Sequence, residues 1–171
     1  RAPRVKSDAD GKQFWVVDDE LQLGPVGYCV IRADGSKALG TTTLTRVDEM
    51  HPGATDPQAR LQVMDAQGIS KQILYPNVLG FAGSFVMNIR DVPLRNFCVQ
   101  AYNEHAAGMQ RDTAGRLLPQ ALLPIWDMEL TVQEVNRCHE HFGLTGLVLT
   151  DSPELWKLPT LSESYWDPLW T

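Results

Sequence analysis

From residue 56 onward the chain alternates short apolar runs with amphipathic stretches, and few folds accept that alternation. Asp56-Pro57 opens a helical segment that Gly68 stops, with Leu61 and Met64 on one face. Lys71-Gln72-Ile73-Leu74-Tyr75-Pro76 follows as a short strand ended by proline, then a polar, glycine-rich loop runs to Arg90. Asp91 opens a second helix. Its Leu94, Phe97, Cys98, Ala101, Tyr102 and His105 recur at helical spacing as an apolar stripe, and Gly115 ends the region. Leu117 to Ile125 is a second apolar run, broken by Pro119 and read as a strand over 120–125. A third helix begins either at an Asp127 cap or at a Thr131/Glu134 capping box; Val132, Val135, Cys138 and Phe142 form its inner face and Gly143 its stop. Residues 146–150 make a third strand, almost wholly apolar. Strands apolar on both faces, alternating with amphipathic helices, predict parallel β/α units.

Two architectures satisfy that pattern, a (β/α)₈ barrel and an open doubly wound sheet. The second usually carries a glycine-rich phosphate loop after a strand, and Gly80-Phe81-Ala82-Gly83 is not such a loop. The expected class is therefore α/β, part of a TIM (β/α)₈ barrel with an N-terminal β-hairpin-like insertion. A complete barrel takes about 250 residues, so 171 residues hold three or four units and make one partial domain. Within it, residues 1–55 form a hairpin and loop excursion: 14–18 and 27–33 read as strands, Asp34-Gly35 as a turn, and 36–55 as irregular. Residues 56–171 carry the β/α units. Asp167-Pro168-Leu169-Trp170-Thr171 reads as the first turn of a further helix, with Asp167 as N-cap and Pro168 at the first helical position. That turn, and a start without Met, fit an internal piece of a longer protein.

Composition narrows the function classes. A net charge of −6 without a basic run argues against binding nucleic acid. No apolar stretch approaches the roughly 20 residues of a membrane span, and Arg1-Ala2-Pro3-Arg4 has no secretory character. Cys29, Cys98 and Cys138 are few, odd in number and far apart, which argues against a disulfide framework; Cys98 and Cys138 read as small core residues on helix faces, and a reducing, cytoplasmic setting is expected.

In β/α barrels the working residues sit at the C-terminal ends of strands. Here those ends offer Tyr75 and Asn77, Trp126 and Asp127, and Asp151 as substrate-pocket candidates; the catalytic residues themselves are unknown. Helix capping equally accounts for Asp127, turn chemistry for Asp151, and packing for Tyr75 and Trp126. His139 and His141 form an H-x-H pair, but on a helix two such residues diverge by about 200° and cannot share one ion. Near a helix C-terminus they complement the dipole instead. His51 reads as a loop residue or a substrate contact, and His105 as a packed, hydrogen-bonded core histidine. No metal site is expected in this chain alone.

The segment from Gly53 to Ile69, with its Asp56-Pro57, Arg60-Leu61, Met64-Asp65 and Gly68-Ile69, resembles the "D-P-x-x-R-L-x-x-M-D-x-x-G-I" block of the amidohydrolase-2 family. These are metal-dependent hydrolases and decarboxylases related to aminocarboxymuconate semialdehyde decarboxylase. Ile73 to Asn77, Tyr102-Asn103-Glu104, Leu123 to Asp127 and Trp166 to Trp170 are similar to its later blocks, in order, so the resemblance spans roughly residues 53–171. It implies a (β/α)₈ barrel with a divalent metal, zinc foremost, that activates water or polarises substrate. The reaction implied is hydrolysis, or non-oxidative decarboxylation of a small carboxylated or aromatic substrate. The family's metal ligands match no position of this chain, so the slice would supply the wall of the site. It would associate with the missing barrel segment or with itself, and Trp166, Leu169 and Trp170 are expected to be exposed. The alternatives are a non-catalytic α/β binding or scaffold module, and an unrelated α/β protein that binds a small anion at helix N-termini.

Overall fold

The computed structural model describes residues 1–18, 21–80 and 83–171; Phe81 and Ala82 of the 80–83 loop lie outside them. The described residues form two sheets and four α-helices. Strands β1 (Arg4–Ser7), β2 (Gln13–Val17) and β3 (Leu21–Pro25) make an antiparallel sheet in the order β1-β2-β3. Asp8 closes the first turn, its Oδ1 accepting from Asp10 N at 3.0 Å and Lys12 N at 2.9 Å. The strand expected over 27–33 is absent. That stretch makes only the isolated bridges Ile31↔Lys37 and Arg32↔Met50, around a turn at Asp34-Gly35 where Gly35 N donates to Arg32 O at 2.9 Å. An apolar run signals strand-like residues without naming a partner, and here β2 pairs with β1 before it and β3 after it, which leaves 27–33 without a strand to join.

The second sheet is parallel: β4 (Gln72–Leu74) pairs with β5 (Leu117–Pro119) in the register Ile73↔Leu118. The helices are α1 (Pro57–Ala66), α2 (Val92–Asp112), α3 (Met128–Phe142) and α4 (Asp167–Trp170). Asp56, Asp91 and Asp127 cap the first three, accepting from Gln58 N at 2.8 Å, Leu94 N at 2.9 Å and Leu130 N at 3.1 Å. The competing capping box is not used. Thr131 Oγ1 donates to Pro124 O and Asp127 O, and Glu134 turns inward and is buried. At the other end of α3, Gly143 adopts φ 65°, a left-handed conformation that costs a β-carbon-bearing residue more. Gly143 N and Leu144 N then satisfy His139 O and Cys138 O.

Two prolines explain why the parallel strands differ from expectation. The central strand starts at Leu117, three residues before the expected 120–125, and its second neighbour is a single parallel bridge, Ala121↔Leu147, instead of a full strand over 146–150. In the observed register Gln72 N donates to Arg116 O and Gln120 N to Leu74 O. The next donor to β5 would be residue 76, and Pro76 has none. Tyr102 Oη donates to the waiting Gln120 O at 3.3 Å, and the Asn103 side chain takes both backbone groups of Leu122: Nδ2 donates to Leu122 O and Leu122 N donates to Oδ1, each at 2.9 Å. On the opposite edge Pro119 again lacks a donor, so pairing with the third segment begins only at Ala121, where Ala121 N donates to Gly146 O and Val148 N to Ala121 O. The parallel sense agrees with β/α units, but the described residues do not form a barrel. Nor are the strands buried on both faces, since Ile73 is 55% exposed and Leu147 41%.

Val17 and Leu23 of the first sheet pack with Leu79, Val86, Ile89, Leu94, Val99, Leu122 and Val148, so one core joins the two sheets. Arg1 adds a surface clasp, with Nε 2.9 Å from Asp18 and Nη2 2.7 Å from Asp91 at the start of α2. The buried face of α2 is Leu94, Cys98, Val99, Asn103, Ala106 and Ala107, turned away from the Phe97–Ala101–His105 row. His105 is therefore exposed, contrary to its expected packing in the core. Trp166 is likewise the reverse of expectation. It is 0% exposed, packs against Leu123 and Ile125, and donates from Nε1 to Pro159 O at 3.0 Å; Leu169 is half-buried and only Trp170 is well exposed. A 3₁₀ turn over Ser164–Trp166 leads into α4, so Asp167 is already helical (φ −52°, ψ −41°) and is not a cap.

Candidate functional site

A groove of about 670 Å³ lies between α1 and α2, floored by Leu74, Leu117 and Pro119 of the parallel strands. It forms because α2 turns its Phe97–Ala101–His105 row toward it while its other face enters the core. Tyr75 and Asn77, at the C-terminal end of β4, both line it. Trp126, Asp127 and Asp151 do not, so two of the five residues singled out from the sequence come together there.

The other three have structural partners. Trp126 Nε1 donates to Asn96 Oδ1 at 3.0 Å, and the Arg95 guanidinium lies 4.8 Å from its ring centroid. Asp127 caps α3. Asp151 accepts from Ser152 Oγ at 3.2 Å within a turn. His51 Nδ1 accepts from Gly53 N at 3.1 Å and so caps the one-turn 3₁₀ helix Pro52–Ala54. His139 and His141 sit exposed in the last turn of α3.

The groove also gathers Trp15, Arg60, Phe97, Tyr102 and His105. Arg60 donates from Nε to Gln72 Oε1 at 3.0 Å and from Nη1 to Gly53 O at 2.7 Å, which ties α1 to β4 and to the preceding loop. No carboxylate among the described residues pairs with it. Burial raises the Cys98 thiol to about 11 and pushes the Tyr102 hydroxyl up as well, so both walls stay neutral near neutral pH. Sequence reasoning assigned Phe97, Tyr102 and His105 to one core stripe. The spacing held no signal that separates them, because a stripe of this width is the ordinary core face of an amphipathic helix.

Among the described residues no three His, Cys, Asp or Glu side chains gather. They do not fit the metal that the resemblance implies, and no chemical step can be built on one here. The present groups can bind and orient a flat molecule: aromatic walls, the Asn77 amide, and the Arg60 charge.

No family model matches the chain, and no curated protein does. The described residues define a mixed α/β protein in which a parallel β/α portion follows an antiparallel sheet, and dihydroxybenzoate decarboxylases are among its solved structural neighbours. The 2,6-dihydroxybenzoate decarboxylase from Rhizobium superposes with a TM-score of 0.51 at 26% identity over 65% of this chain. The same values hold for a 2,6-dihydroxybenzoate decarboxylase complexed with 2,6-dihydroxybenzoate. A dihydroxybenzoic acid decarboxylase from Polaromonas sp. JS666, with bound manganese and 2-nitroresorcinol, superposes at 0.46 with 28% identity over 53%. The matched region covers 26% to 34% of those neighbours' chains.

Proposed function

We propose that these residues are part of a metal-dependent (β/α)₈ enzyme that decarboxylates, without oxidation, a small aromatic carboxylate. In this reading residues 56–171 supply the substrate-facing wall, with Tyr75 and Asn77 at the end of β4, while segments outside the 171 residues hold the metal. The superposition on 2,6-dihydroxybenzoate decarboxylase carries the reading, because it comes with parallel pairing of β4, β5 and the Leu147 segment and with α2 and α3 as the crossovers. The ordered sequence blocks over 53–171 support the same class. The 34% share of the neighbour's chain supports a partial barrel.

The test is release of carbon dioxide from 2,6-dihydroxybenzoate, with zinc or manganese supplied, by the 171-residue chain and by the longest natural polypeptide that contains it. Turnover by the longer polypeptide alone, reduced about tenfold or more by Asn77→Ala through loss of orientation, is the expected result. Absence of turnover in both, with the substrate still bound, would favour the binding-module reading; the dispersal of metal-type side chains among the described residues speaks for that alternative.

A further inference from the structure

We propose that residues 1–4 are a strap that closes one end of the groove between α1 and α2, and that this end opens when Arg1 lets go of Asp18 and Asp91. The inference concerns access to the groove, whatever molecule enters it, and does not need the decarboxylase reading. Ala2 and Pro3 line the groove, and the residues on either side of them are the anchors. On one side β1 begins at Arg4, which pairs with Val16 of β2. On the other, the Arg1 guanidinium reaches two separate elements. It donates from Nε and Nη2 to the Asp18 carboxylate at 2.9 and 3.0 Å, and from Nη2 to Asp91 Oδ2 at 2.7 Å. Asp91 stands at the start of α2, one wall of the groove. The strap therefore ties the first sheet to that wall across the span of Ala2 and Pro3.

Asp18 is the catch. Its backbone has φ 55°, a left-handed conformation uncommon outside glycine. All of its polar groups hold the strap: its N–H donates to Arg1 O at 2.8 Å, its carbonyl accepts from Arg4 Nη1 at 2.7 Å, and its carboxylate holds the Arg1 guanidinium. Nearby, the β2–β3 register shifts between Trp15 and Val16, a bulge beside the Trp15 ring that also borders the groove. The fastening lies at the surface, with the Arg1 side chain 56% exposed and those of Asp18 and Asp91 42% and 34%. Exposed ion pairs are weak and screened by salt. Pro3 has no N–H with which to bond the groove wall. A strap held in this way comes loose far more often than the core beneath it unfolds.

Cys98 is a built-in reporter. It lines the same groove and is buried, within the core cluster that Trp15 packs against. Cys138 is buried in a different cluster, with Ala107, Ala121 and Leu144, and Cys29 is half-exposed. The experiment is prolonged iodoacetamide labelling of the folded 171-residue chain at about pH 8, each thiol being followed by mass spectrometry with Cys29 as the internal reference. In Arg1→Gln, Cys98 should be labelled about threefold faster or more than in the parent, the change in open population that losing exposed ion pairs allows, while Cys138 keeps its parent rate. Asp18→Asn, whose side chain suits the left-handed backbone, should also speed Cys98, and the double variant should match Arg1→Gln, because both changes undo one fastening. Sodium chloride at about 1 M should speed Cys98 labelling in the parent and leave Arg1→Gln nearly unaffected. Equal Cys98 rates in the parent and both single variants overturn the strap. So does a parallel rise at Cys98 and Cys138, which would make the Arg1 clasp a general staple of the fold. Additive effects of the two substitutions overturn it as well, since Arg1 and Asp18 would then act separately.

Discussion

Asn103 on α2 donates from Nδ2 to Glu134 Oε1 on α3 at 2.7 Å, with both side chains buried. The same amide group pairs with Leu122 O, and Glu134 holds Arg137 through Oε1 and Oε2 at 2.8 Å each. Arg137 reaches Glu104 Oε1 at 2.8 Å and lies over the Phe142 ring. Two helices and the central strand thus meet in one polar network, fully partnered where it is buried.

Removing Asn103 leaves Leu122 N and O without their partners and a carboxylate with one bond fewer. Asn103→Ala should cost about 3 kcal/mol in urea unfolding, since each stranded buried group costs roughly 1–3 kcal/mol. Asn103→Asp should be worse near neutral pH, because it sets a second carboxylate against Glu134, and should recover partly on acidification as the new carboxyl takes up a proton. Equal stability of the two variants at all pH values would contradict this account.

Asp91 supplies the acid-side prediction. Its carboxyl is held below the usual range first by the Leu94 N–H and then by Arg1. A depressed folded-state value means that this contribution is present above the unfolded carboxylate value of about 4 and disappears as pH falls through the folded one. In Asp91→Asn, which keeps a capping oxygen but cannot titrate, the fall in urea midpoint between neutral and acidic pH should be shallower than in the parent chain.

Thiol reactivity should separate by burial. Cys98 and Cys138 are buried, and desolvation raises their thiols to about 11 and about 12, with Glu134 adding to the effect at Cys138. Cys29 is half-exposed. Iodoacetamide at about pH 8, followed by mass spectrometry, should modify Cys29 first and reach the other two only after denaturation.

Much of this was legible in the sequence where a local rule is stereochemically strict. Asp56-Pro57 and Asp91 placed the starts of α1 and α2, Asp127 was one of two starts left open for α3, and Gly143 placed its end. Partner choice was not legible. Residues 27–33 look like a strand but have no neighbour to pair along, and Pro119 shifted the central strand because a missing donor on one edge does not prevent bonding on the other. Burial of polar residues was invisible for the same reason: Asn103 and Glu134 are core residues only because each finds the other. Trp15 gave no sign, since a bulge has no local composition of its own.

Trp166 tests the C-terminal packing. Trp166→Ala should cost about 3–5 kcal/mol, the usual range for emptying a large buried site, while Trp170→Ala at a 56% exposed position should change little. Gly80 offers a steric contrast with Gly143. It has φ 82°, and a β-carbon there would collide with Ser84 Oγ and lie 2.6 Å from Phe85 N, whereas one at Gly143 (φ 65°) would meet nothing within 4 Å. Gly80→Ala should therefore lower the thermal midpoint further than Gly143→Ala, whose cost is backbone conformation alone, about 1 kcal/mol.

The proline at 119 also sets the order in which the parallel sheet comes apart. On one side the central strand is anchored along its length, from Arg116 O to Gln120 N, and then by Tyr102 and Asn103. On the other side it is held to its neighbour through Ala121 alone. Thermal fluctuations that peel a strand away will find that weaker seam first. The amide of Val148 should then trade its proton for deuterium well before that of Gln120, so that local unfolding travels inward from the Leu147 edge while β4 and β5 stay zipped together.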